Sequence, residues 1–126
     1  MGITYDTGAL IAAERNDRTM WALHAGFLAE EVVPLVPAPV LAEAWRGGSR
    51  QASLARLLAM CLIEPMSDEQ ARAVGVLAGL AGHDDVVDVT VVEGALRRGD
   101  AVVTSNHDHI ARIASGARQH LGIESV

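Results

Sequence analysis

The chain has no lysine and a single cysteine, Cys61. One thiol excludes a disulfide framework and a thiolate zinc centre, so stability must come from packing alone. Cys61 lies between Met60 and Leu62 and reads as a small buried apolar side chain. All ten basic residues are arginine. Codon drift accounts for that, although arginine forks also suit phosphate. There is no cationic segment followed by an apolar one, and no apolar run long enough to span a bilayer. A soluble, cytoplasmic protein with no membrane partner is therefore expected. Linkers, repeats and low-complexity tracts are also missing.

Positive charge is scarce: ten basic residues face sixteen acidic ones, for a net charge of −6. That balance argues against a passive nucleic-acid coat, which carries a basic footprint. It leaves room for a metal-dependent nuclease, where clustered carboxylates carry part of the negative charge and bound cations restore the attraction.

Half of the 126 residues are hydrophobic, enough for one domain over residues 1–126 with a core of its own and too many for disorder. Strand-like and helix-like segments alternate. Ile3 to Asp6 reads as a strand, with helices following at Gly8 to Glu14 and Thr19 to Glu30. A strand from Glu31 to Val36 is closed by Pro37-Ala38-Pro39, and a helix from Val40 to Trp45 stops at Gly47-Gly48. Ser49 is placed to cap a helix from Arg50 to Met60. Leu62 to Pro65 is a short strand or edge. Ser67, with Gln70 three residues on, has the capping-box pattern and opens a helix to about Gly82.

Val86 to Val92 is valine-rich, which favours strand. Asp84-Asp85 at its start, Glu93, Ala95 and Leu96 within it, and Arg97-Arg98-Gly99 at its end favour a helix aligned with its macrodipole. Length also argues for helix. Ala101 to Thr104 is a strand, Asp108 to Ala114 a helix, and Gly122 to Val126 a last strand. The expected fold class is α/β: a single compact domain with a parallel sheet flanked by helices on both faces. Ligands in such folds collect outside the carboxyl ends of the strands.

Four acidic residues occupy mostly apolar stations: Asp6, Glu43, Asp88 and Asp108. Burying a bare carboxylate costs several kcal/mol or forces a large pKa shift. No arginine stands beside these four in sequence to neutralise them. A hard divalent cation, Mg²⁺ or Mn²⁺, satisfies converging carboxylates most compactly. Each acid also has a plainer reading. Asp6 can cap a helix, Glu43 can be solvated, and Asp84 and Asp85 can complement a helix dipole. Asp88, set among valines, is hardest to explain that way. His107 and His109, flanking Asp108, read as solvated loop residues rather than a transition-metal site.

Four segments, in order, sharpen this. They are Tyr5-Asp6-Thr7-Gly8-Ala9-Leu10, Leu41-Ala42-Glu43-Ala44-Trp45-Arg46, Asp85-Val86-Val87-Asp88, and Val102-Val103-Thr104-Ser105-Asn106-His107-Asp108. Over essentially the whole chain this resembles the PIN-domain nucleases, and among them the VapC-type toxins of bacterial type II toxin–antitoxin pairs. The resemblance implies a Mg²⁺- or Mn²⁺-dependent endonuclease that hydrolyses RNA to 5′-phosphate and 3′-hydroxyl ends. It assigns catalysis to Asp6, Glu43, Asp88 and Asp108, with Asp6, Asp88 and Asp108 on the metal and Thr7, Asp85, Ser105 and Asn106 in support. Asn106 stands where many relatives carry an acid, which leaves one metal as the safer expectation.

The resemblance also implies a small antitoxin partner and a homodimer. Trp21, Leu23, Phe27 and Leu28 either form such a contact or face the core. Arg46, Arg50 and Arg112 are candidate phosphate contacts. A competing reading is a catalytically silent protein- or RNA-binding module. A phosphotransfer domain using Asp6 is disfavoured, because the second aspartate of one such class and the lysine of receiver domains are both missing.

Overall fold

The computed structural model describes residues 2–126. Its strands are β1 (Ile3–Tyr5), β2 (Leu35–Pro37), β3 (Leu62–Glu64), β4 (Ala101–Thr104) and β5 (Ile123–Ser125). They form one sheet in the order β3-β2-β1-β4-β5. Every pairing is parallel, with Thr4 opposite Leu35 on one side of β1 and Val102 on the other. Parallel neighbours require crossover connections, and the helices supply them.

Every residue of β1, β2 and β4 is buried. Side chains alternate faces along a strand, so unbroken burial means that both faces of the sheet are covered. The rims β3 and β5 are more exposed. Helix α1 (Thr7–Glu14) packs against α2 (Arg18–Ala29), α3 (Ala38–Ala44) and α4 (Ala52–Leu58). A second group, α5 (Asp68–Ala81), α6 (Val86–Arg98) and α7 (His107–Gly116), packs together, with α6 also against β1, β2 and β4.

Helix starts follow local chemistry. Asp17, Ser67, Asp85 and Asn106 each accept a backbone N–H of the helix that they precede. Gly82 and Gly99 close α5 and α6 in the left-handed conformation that suits glycine. The valine-rich segment is the helix α6, and Val89, Thr90, Val91 and Val92 are all buried. A helix hidden on most sides has no polar stripe, which is why its sequence imitates a strand.

Three expectations need correction. The strand expected over Glu31 to Val36 is confined to Leu35–Pro37. Glu31 turns with φ 61°, and β2 begins only where Thr4 and Leu62 offer partners. Pro37 ends the strand and Pro39 lies in the first turn of α3, so the helix starts at Ala38 rather than Val40. Ser49 makes no capping bond; it opens a 3₁₀ turn, Ser49–Gln51, and α4 runs only from Ala52 to Leu58.

Candidate metal centre

The carboxyl ends of β1 and β4 lead into the turns that carry the site. The Asp6 N–H donates to the Val103 carbonyl at 3.2 Å, tying the first turn to β4. Gly8 permits that approach: a Cβ there would overlap Ser105 Oγ. The Asn106 N–H donates to Thr104 Oγ1 at 2.9 Å, which shapes the second turn.

Asp6 is 5% exposed, and its Oδ1 accepts the Ala9 N–H at 2.9 Å. Its pKa is raised above the ordinary carboxylate range, first by burial and further by the charge of Glu43. Hydrogen bonds from the Thr104 hydroxyl and the Ala9 and Gly8 N–H groups pull it partly back. Glu43 itself is exposed, near the end of α3. Thr7 Oγ1, at the start of α1, is buried and has no partner among the described residues.

Asp88 sits in the first turn of α6, half-buried. Its pKa is pushed up to about 6, by burial first and then by the Asp85 charge, while His109 lowers it. His109 Nε2 lies 2.6 Å from Asp88 Oδ2. Asp85 caps the same helix, its Oδ1 accepting the Asp88 N–H at 3.2 Å. Asp85, Asp88 and His109 each bring one ligand atom to within 4.8 Å of the others. His83 stacks edge-on against His109, ring centroids 4.4 Å apart.

The expected site residues therefore divide. Asp6 feels the charge of Glu43, and Asp88 that of Asp85. Asp108 is not drawn inward: its side chain is 97% exposed and its partner is His107 Nδ1, at 3.4 Å. Ser105 and Asn106 are exposed. Asn106 caps α7 by accepting the His109 N–H at 3.4 Å. The residue that sequence reasoning missed is His109, which is bound to Asp88 rather than solvated. Its only signal is positional: it lies in the first turn of a helix that starts at the same sheet edge as α6.

Asp85, Asp88 and His109 bring their ligand atoms together and suit a divalent cation, and Asp6, buried beside Glu43, is a further carboxylate at the end of β1. The orphaned Thr7 hydroxyl beside Asp6 adds a neutral oxygen. The residues present fit such an ion.

A solved chain from VapBC2 of Rickettsia felis, bound to a DNA fragment from their promoter, superposes with a TM-score of 0.75, at 19% identity, over 100% of this chain and 99% of that one. The fold is shared. PAE2754 from Pyrobaculum aerophilum superposes with a TM-score of 0.64 at 15% identity, over 94% of this chain and 91% of that one. The α/β architecture is thus PIN-like, as the resemblance in sequence implied. No protein-family model and no curated protein matches the sequence.

Proposed function

We propose that the chain is a divalent-metal-dependent RNA endonuclease and the toxin of a toxin–antitoxin pair. The observations that carry this reading are the converging ligand atoms of Asp85, Asp88 and His109 and the buried carboxylate of Asp6 at the end of β1. A cation at this edge would be held by Asp6 and Asp88. When bound, Mg²⁺ or Mn²⁺ supplies Lewis acidity toward water and the phosphoryl oxygens.

The chain's own groups do the rest. Glu43, exposed beside Asp6, is free to accept a proton from the attacking water. Asp108 lies at the rim, where it can complete the ion's shell only through waters or a local shift. The exposed Ser105 hydroxyl can donate to a substrate phosphate. Cleavage would leave a 5′-phosphate and a 3′-hydroxyl.

The likeness to a chain of the VapBC2 structure supports a small antitoxin as partner. A groove of about 550 Å³ along α2, lined by Thr19, Leu23, Phe27 and Glu30 among others, suits an apolar segment of that partner or of a second copy in a homodimer. Trp21 is committed elsewhere, donating to the Ala13 carbonyl at 3.0 Å beneath the Arg56 guanidinium. No helix among the described residues is long and apolar enough to cross a membrane.

One observation favours a second reading, a silent binding module: Asn106, where many members of the resembled family carry an acid, is used here as a helix cap. The two are separated by incubating RNA with the purified protein and Mg²⁺, then testing the product ends for ligation. Ligatable 5′-phosphate ends support the nuclease. RNA retained intact on the protein supports the module.

A further inference from the structure

Acidic clusters at sheet edges are common without ions. This one differs because an imidazole is already fixed against it. The donors come from two helix starts: Asp85 and Asp88 at the head of α6, and His109 in the first turn of α7. The packing of α6 against α7 holds them together. His109 Nε2 and Asp88 Oδ2 are 2.6 Å apart, close enough for one cation to take both as ligands in place of their direct contact.

With bonds of ~2.0–2.2 Å, a tetrahedral ion holds its donors roughly 3.4 Å apart. The three donor atoms, within 4.8 Å of one another, need move only slightly to reach that spacing. Asp85 is exposed and its second oxygen is free to turn.

His83 plays another part. Its Nδ1 accepts the Asp85 N–H at 3.2 Å, so the neutral ring carries its proton on Nε2 and offers no lone pair. It meets the His109 ring edge-on at 4.4 Å and restricts its rotation. His83 is a positioning residue; His109 is the ligand.

Ligand type decides the ion. Carboxylates and water suit Mg²⁺, whereas imidazole favours later first-row ions. We propose that Asp85, Asp88 and His109 form a mixed carboxylate–imidazole site that takes Zn²⁺ or a similar late divalent cation in preference to Mg²⁺. This rests on the nuclease reading only in placing a cation at this edge.

The test is calorimetric titration of the full chain with ZnCl₂ and with MgCl₂, for wild type, His109→Ala and His83→Ala. The expected result is one Zn²⁺ site, weakened on the order of tenfold or more in His109→Ala. His83→Ala should weaken Zn²⁺ less. As a readout that needs no variant, the His109 ring resonances of wild-type protein should shift on Zn²⁺ addition. Zn²⁺ affinity unaltered by His109→Ala, a His109 ring unmoved by bound Zn²⁺, or a wild type that prefers Mg²⁺ would overturn the proposal. Protein that binds Zn²⁺ through His109 but cuts no RNA refutes the nuclease alone. Protein that cuts RNA with Mg²⁺ but shows no His109-dependent Zn²⁺ binding refutes this inference alone.

Discussion

Asp6 does two jobs that substitution can separate. Its Oδ1 caps α1 through Ala9, and its charge is held out of water next to Glu43. Asparagine caps as well as aspartate does, so Asp6→Asn keeps the first role and removes the cost of the second. With EDTA present, Asp6→Asn should melt above wild type. Asp6→Ala, which also loses the cap, should fall about 1 kcal/mol below Asp6→Asn. Paired thermal melts check this, and an Asp6→Asn protein less stable than wild type would contradict it. The sign follows from linkage: the folded pKa is raised, so this group's contribution is present at low pH and lost as pH rises through that pKa.

His24 acts in the opposite sense. It is buried, Nδ1 lies 2.8 Å from the Tyr5 hydroxyl, and Nε2 has no partner among the described residues. Burial lowers its pKa, so its stabilising neutral form is present above about 6.5 and is lost as pH falls through the folded value. Urea midpoints at neutral and mildly acidic pH should show a smaller acid loss in His24→Gln than in wild type. At this scale the sequence was readable where chemistry is local. Asp6 and Asp88 stand out because carboxylates among apolar neighbours need an explanation. His109 does not, because its partner lies on another helix, and the exposure of Asp108 is not legible locally because it is decided by the turn of α7.

Helix α6 ties the two ends of the sheet together. At its start Asp85 and Asp88 face the site; at its end Arg98 donates to Asp100 at 2.9 Å, to Thr4 Oγ1 at 2.9 Å and to Glu64 at 2.9 Å. Asp100 is 9% exposed, so removing its cation leaves a charge stranded. Arg98→Ala should cost about 3–5 kcal/mol, read from denaturant melts, and Asp100→Asn should recover part of it. Gly116 makes a second seam: a Cβ there would lie 2.7 Å from the backbone of Ala81, where α7 crosses α5. Gly116→Ala should therefore destabilise by about 1–3 kcal/mol and loosen the helix that carries His109. Elements whose ends are set by caps, such as α5 and α6, were legible from sequence. The short β2 was not, because its extent is set by what β1 and β3 offer it, and nothing local in Glu31 to Pro34 says where pairing begins.

Across the whole molecule the fold is that of a five-stranded parallel sheet, with Asp6 at the carboxyl end of β1, and the solved chains share that fold. The proposed function rests on that end of the sheet. On the proposed reading, a net charge of −6 makes the bare protein a poor attractor of RNA, and a bound cation would supply both the chemistry and much of the attraction. The most direct measurement is cleavage of total cellular RNA by purified, partner-free protein with Mg²⁺, with Mn²⁺ and with EDTA, beside an Asp88→Ala variant shown to be folded by circular dichroism. Discrete products with metal, absent with EDTA and with Asp88→Ala, are predicted. Intact RNA under every condition, or cleavage that persists in EDTA or in the variant, would contradict the metal-dependent nuclease.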